Sequence, residues 1–120
     1  MIEAKKFEIA VVLINFNSIL YKINCVNSII ENTSASTNFQ IIVIDNCSEK
    51  EDYNKLETYC QSSDFEYLKL VRNNINVGFG AGNMLGVHYA NANYYAFINN
   101  DSILLNDCIT TLNNAMKSNS

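Results

Sequence analysis

The first strong pattern is Ile9 to Phe16, a near-continuous run of apolar and β-branched residues. Such a run, without polar alternation, predicts a strand covered on both faces, as in a parallel sheet. From Ser18 the spacing changes: Ile19, Ile23, Val26 and Ile30 fall three or four residues apart. That predicts a helix capped by Asn17 or Ser18 and closing near Asn32-Thr33-Ser34. Phe39 to Asp45 repeats the buried-strand pattern, and Ser48-Glu49-Lys50-Glu51 offers a capping box to a helix carrying Tyr53, Leu56 and Cys60 inward. Phe65 to Val71 predicts a third strand, Gly80 to Ala92 a helix rich in small residues, and Tyr94 to Asn99 a fourth strand. Ile109, Leu112 and Met116 mark the inner face of a last helix.

Parallel strands need crossover connections, and these are right-handed, so the alternation predicts an α/β fold: a mainly parallel sheet with helices on both faces. At 120 residues the chain is expected to be one domain, with a core supported by 48% hydrophobic and 17% charged residues. Ligands of such sheets bind beyond the carboxyl ends of the strands. Four segments fall there: Phe16-Asn17, Asp45-Asn46, the glycine loop after Arg72, and Asn99 to Asp101.

Charge narrows the ligand. A net charge of −4, with only 8 Lys and Arg, argues against a nucleic acid held through its phosphates. A phosphorylated small molecule stays compatible, because backbone N–H groups and a divalent cation can hold a diphosphate without a basic patch. Cys25, Cys47, Cys60 and Cys108 form no C-x-x-C pair, and His88 stands at no zinc-ligand spacing from them. The expected setting is therefore reducing and cytoplasmic. No apolar stretch approaches the ~20 residues that span a bilayer, so no membrane segment is expected.

Two acids close strands, Asp45 after Ile41-Ile42-Val43-Ile44 and Asp101 after Phe97-Ile98-Asn99-Asn100. Either alone could as well be a turn former or helix cap; together on one sheet edge they point to function. The segment Asn73 to Asn83 fails the dinucleotide pattern G-x-G-x-x-G. Gly80-Ala81-Gly82 would need glycine at Leu85, it comes at Gly86 instead, and the loop follows the third strand rather than the first. A P-loop is excluded too, since there is no G-K-[ST]. What the glycines permit is close approach of backbone to a ligand or a neighbouring element. His88 reads as a surface or partly buried histidine, and Asp107 as a first-turn acid of the last helix.

These residues resemble the inverting family 2 glycosyltransferases of GT-A fold, particularly the rhamnosyltransferase-like and galactofuranosyltransferase-like members. Val11 to Asn17 looks like the opening strand, Val43-Ile44-Asp45-Asn46-Cys47-Ser48 like the V-D-N-x-S segment, Asn76 to Gly86 like the N-x-G-F-x-x-G loop, and Phe97 to Asp101 like the DxD-equivalent. The likeness covers nearly the whole chain. It departs at Asn99 and Asn100, which replace the first acid and middle residue of a strict DxD, and at Met84, where the family usually has asparagine.

The resemblance implies a nucleotide-sugar-binding half, with UDP- or dTDP-linked sugar as partner and Mg²⁺ or Mn²⁺ as cofactor. Ile14, Phe16, Asn17, Asp45, Asn76, Gly78, Asn83 and Asn100 would bind the nucleotide, with Phe16 lining the base pocket and Asp45 accepting hydrogen bonds from base or ribose. Asp101 would hold the metal, a hard cation suited to carboxylate and phosphate oxygens. The reaction implied is inverting sugar transfer to an acceptor hydroxyl in bacterial surface polysaccharide synthesis, at the inner face of the membrane in a full-length relative. The family's general base lies well beyond the DxD-equivalent, so residues 1–120 are expected to carry donor binding without the acceptor half. The alternative is a non-catalytic nucleotide-sugar-binding or protein-interaction module that self-associates through an exposed sheet edge.

Overall fold

A computed structural model describes residues 6–99 and 102–118. Four strands and four helices alternate: β1 (Phe7–Asn15), α1 (Ile19–Asn32), β2 (Phe39–Asp45), α2 (Lys50–Ser62), β3 (Leu68–Arg72), α3 (Gly78–Tyr89), β4 (Ala92–Phe97) and α4 (Cys108–Ser118). The strands form one parallel sheet in the order β3-β2-β1-β4. β1 and β2 are central and buried almost throughout, which is why both read as unbroken apolar runs.

Alternate residues of β1 serve opposite layers. Ile9, Val11 and Leu13 pack with Cys25, Val26 and Ile29 of α1, Leu56 of α2 and Ile109 of α4. Ile14, with Ile42 and Ile44 of β2, meets Leu85 of α3 on the other face. The reversal follows from topology. The chain steps outward from β1 to β3, then returns past β1 to β4, and right-handed crossovers place α3 on the opposite side from α1 and α2.

Several boundaries differ from expectation. β3 begins at Leu68 rather than Phe65, because Phe65 stacks on Phe39 with centroids 4.8 Å apart and Tyr67 packs edge-on against Phe7. Aromatic packing, not strand pairing, explains the apolar signal there. α3 begins at Gly78 rather than Gly80 and ends at Tyr89, since Ala92 already pairs with Phe7 in the sheet. In α4, Ile109 is buried as expected, but Leu112 and Met116 are exposed and Asn113 is buried. Glu8 explains this rotation: it accepts hydrogen bonds from Asn113 Nδ2 (3.3 Å) and Lys117 Nζ (2.8 Å).

The expected caps are also rearranged. Neither Ser18 nor Glu49, at the cap positions of α1 and α2, makes a side-chain cap bond. The N–H of Ile19 at the start of α1 donates instead to Asp52 Oδ1 of α2, at 3.1 Å. Ser48 is drawn into the interior by Asp45 and caps nothing.

Burial of the inner face of α2 has a consequence for pH. Loss of solvent pushes the Tyr59 phenol up to about 12, with the neighbouring Cys60 adding to it, and pushes the Cys60 thiol up to about 11. The folded state thus holds these protons more tightly than the unfolded chain, whose reference values are 10.0 and 9.0. Stability is full below pH 9 and declines as pH rises toward 11–12. Urea titrations at pH 8 and pH 10.5 should show a lower midpoint at the higher pH. A Cys60→Ala chain should lose part of that pH dependence, and an unchanged midpoint would remove the assignment.

Candidate functional site

The carboxyl ends of β1 and β2 are joined by a buried polar network centred on Asn15. Its backbone carbonyl accepts from Asn46 N at 2.8 Å, continuing the strand pairing by one residue. Its amide nitrogen reaches Asp45 Oδ1 (2.9 Å), Ser48 Oγ (3.1 Å) and Asp52 Oδ2 (2.9 Å), three acceptors sharing two protons. Ser48 donates through Oγ to Asp45 Oδ1 (2.7 Å) and through its backbone N–H to Asp45 Oδ2 (3.1 Å). Arg72, at the end of β3, lies 3.8 Å from Asp45 Oδ2, donates to the Ser48 carbonyl at 3.0 Å and stacks 4.0 Å above the Tyr53 ring. Asp45 is 0% exposed.

This network shapes two turns. Asn17 adopts a left-handed backbone (φ 51°) and Cys47 does likewise (φ 66°). Asn17 N–H donates to Ser48 Oγ, while Asn17 Oδ1 accepts from Glu49 N at 2.7 Å, so the first turn is tied to the second. The tight turn lifts the preceding ring, Phe16, out of the sheet, leaving it 45% exposed.

Beside that ring lies an open cleft of about 210 Å³ lined by Ile14, Phe16, Asn46, Asn76, Gly78 and Phe79. Phe79, 54% exposed, forms part of the α3 side. Asn46 closes the floor: its Nδ2 donates to the Gly78 carbonyl at 2.9 Å and its Oδ1 accepts from Asn73 Nδ2 at 2.8 Å. Gly78 has φ +82°, a conformation open to glycine, and its N–H donates to Asn76 Oδ1 at 2.8 Å. None of the six lining residues is charged. Two exposed rings and amide groups suit a planar, neutral, polar ring better than a phosphate.

Of the site residues expected from sequence, Ile14, Phe16, Asn76 and Gly78 thus meet at one cleft. Asn17 turns away toward Glu49 and Asp52, Asp45 lies buried beneath, and Asn83 is half-buried one turn further along α3, outside the lining. Asn100 and Asp101 lie outside the described residues. Asn46 and Phe79 join the lining without having been singled out, though both stand inside the V-D-N-x-S and N-x-G-F segments. Among the described residues no group of three His, Cys, Asp or Glu is placed to hold a metal ion, and no helix is long and apolar enough to cross a membrane. A larger hollow of about 390 Å³ sits at the opposite, amino-terminal edge of the strands, between the α1–β2 loop and Phe65 and Tyr67. It is remote from the edge where α/β sheets hold ligands.

No curated protein sequence matches the chain. Solved structures share its fold. The S. aureus TarS 1–349 structure in complex with UDP has TM-score 0.76 and 19% identity, covering 92% of this chain and 32% of that one. TarS 1–349 in complex with UDP-GlcNAc has TM-score 0.73 and 23% identity, covering 92% and 30%. The mannosyltransferase PcManGT from Pyrobaculum calidifontis, in complex with GDP-Man and Mn²⁺, has TM-score 0.78 and 16% identity, covering 96% and 32%. The chain therefore spans about a third of the length of these structures, and the likeness extends to the all-parallel α/β architecture of the GT-A fold. Residues 10–120, nearly the whole chain and all four strand-end segments, match the family described as glycosyl transferase family 2, and the chain belongs to that family.

Proposed function

We propose that this chain binds the donor of a glycosyltransferase, a nucleoside-diphosphate sugar, with the base in the cleft between Phe16 and Phe79. The observation that carries the reading is that cleft: uncharged, flanked by two exposed rings, and at the carboxyl edge of a parallel sheet in a family 2 chain. Family membership and the nucleotide-bound structures of similar fold support it. Asp45 acts from below in this proposal. It holds Asn15, Ser48 and Arg72, and through Asn15 the Asn46 backbone at the cleft floor, instead of touching base or ribose itself. Asn83 and Asn100 are assigned to the nucleotide by their motif positions alone.

Asp101 follows β4 by four residues and is assigned the divalent ion, Mg²⁺ or Mn²⁺, which when bound would neutralise charge on the departing diphosphate. The Mn²⁺ complex of the mannosyltransferase supports a metal at this fold. Inverting transfer of a rhamnosyl- or galactofuranosyl-like sugar, in bacterial surface polysaccharide synthesis on the cytoplasmic side, is the finer reading. It rests on the sequence likeness of the four motifs. Residues 1–120 are read as a single donor-binding domain, the acceptor hydroxyl being deprotonated by a residue outside them.

Isothermal titration of the chain with UDP and with dTDP should show saturable binding that tightens about tenfold or more with Mn²⁺, the scale of one charge-assisted contact. Asp101→Ala should abolish the metal effect and keep the metal-free affinity. Equal affinity with and without Mn²⁺ would overturn the role of Asp101, and no binding of either nucleotide would overturn the function.

A further inference from the structure

The hollow of about 390 Å³ at the amino-terminal edge of the strands shares no residue with the cleft at Phe16. One side of it is aromatic. Phe65 has a face covered by Phe39, with centroids 4.8 Å apart, and Tyr67 stands perpendicular to Phe65 at 6.1 Å, so the two rings meet as a fixed corner. The α1–β2 turn supplies hydroxyls from Thr33, Ser36 and Thr37. Ser36 Oγ shares one proton with Ser34 Oγ (2.8 Å), and Thr37 Oγ1 shares one with Thr110 Oγ1 (2.6 Å), so each pair keeps a second proton and spare lone pairs. Thr33 is 8% exposed, and its Oγ1 has no hydrogen-bond partner. A buried hydroxyl left alone is costly and rare, which points to an occupant that pairs it. None of the described residues lining the hollow is charged. Lys6 lies over the Phe7 and Tyr67 rings and is not part of the lining.

We infer that this hollow is a second ligand site, and that it takes a neutral carbohydrate ring. A pyranose presents apolar C–H faces to an aromatic corner and hydroxyls that both donate and accept to the hydroxyl-bearing turn. It carries no charge to a wall that has none to answer it. An anion or a cation would be desolvated here without a counter-charge, and a purely apolar ring would leave Thr33 Oγ1 unpaired and strip water from the other hydroxyls. The nine residues of β1 separate this edge from the carboxyl edge by roughly 30 Å. A sugar seated here is therefore an anchor for a glycan and not the sugar being transferred.

Titration of the ¹⁵N-labelled chain with the methyl glycosides of glucose, rhamnose and N-acetylglucosamine, followed through its amide shifts, tests this. At least one should give saturable shifts centred on residues 33–38, 65 and 67. Cyclohexanol has the apolar body and a single hydroxyl, and should bind at least tenfold more weakly than that sugar. Thr33→Val keeps the side-chain shape and suits the extended backbone there (φ −91°, ψ 129°), so the chain should stay folded while sugar affinity falls about tenfold, the scale of one hydrogen bond. Ala35→Trp, on the exposed turn, should fill the hollow and abolish sugar binding. UDP titrations of both variants should match wild type. No saturable shift at this turn with any of the glycosides, cyclohexanol binding as tightly as the sugars, or undiminished affinity in Thr33→Val overturns the inference. A chain that binds sugar here but no UDP upholds it while the donor-binding reading fails, because the two sites share no residue.

Discussion

Gly86→Ala should lower stability by up to about 2 kcal/mol, the upper end of overpacking at 1–3 kcal/mol less a gain in helix propensity near 1 kcal/mol. An ideal Cβ at Gly86 would stand 2.2 Å from Val12 Cγ1 and 3.2 Å from Cγ2. Val12 is fully buried in the central strand, flanked by β2 and β4, and its branched side chain is stiff. The clash is therefore relieved only by lifting α3 from the sheet. For a domain of this size that upper limit corresponds to roughly 8 °C in melting temperature. Gly80→Ala is the matched control, because a Cβ there meets nothing within 4 Å and φ is ordinary; it should be neutral or up to about 1 kcal/mol stabilising. Val12→Ala should rescue Gly86→Ala in part, giving a non-additive double-mutant cycle by urea denaturation. A Gly86→Ala chain as stable as wild type would show that α3 is not held against β1 through this contact.

That glycine also shows what could be read from the chain before folding. A glycine-rich segment signals close approach but not its partner, and the two uses separate only in three dimensions. Gly86 answers to Val12, Gly82 to Ile14 Cδ1 (3.0 Å) and Asn46 Nδ2 (3.2 Å), and Gly78 to backbone conformation alone. The buried strands were legible because covering both faces of β1 and β2 leaves no polar position to confuse the pattern. β3 was less so, since Phe65 and Tyr67 are apolar for a reason unrelated to pairing. The cap of α1 was misread because Ser18 turns back to donate to Asn15, and Asp52 supplies the missing acceptor from 33 residues away. Four residues of the cleft followed from motif position. The closure of the cleft floor by Asn46 depends on Asn73 and Gly78 arriving from another connection.

The largest combined effect is expected at Asp45. Asp45→Ala removes the acceptor shared by Asn15 Nδ2, Ser48 Oγ and Ser48 N–H, and strips the guanidinium of Arg72 of its buried counter-charge. Breaking a buried charged partner set costs about 3–5 kcal/mol, because the groups left behind stay desolvated. Arg72 is partly exposed (32%) and can rehydrate, so the lower end, about 3 kcal/mol, is expected. Asp45→Asn should cost less. It keeps one acceptor for the amide of Asn15, yet turns a donor toward both Ser48 N–H and Arg72. The consequence reaches the cleft through Asn46, whose N–H is bonded to Asn15 and whose side chain holds Gly78. UDP affinity, measured by titration at a temperature where the variant remains folded, should therefore fall for Asp45→Ala although the carboxylate itself lies under the cleft, while a surface exchange such as Glu66→Gln should leave it unchanged. Arg72→Ala should be non-additive with Asp45→Ala in denaturation, since each removes the other's partner. Strict additivity, or a stability loss under 1 kcal/mol for Asp45→Ala, would refute the view that this acid is the keystone joining the two strand-end turns.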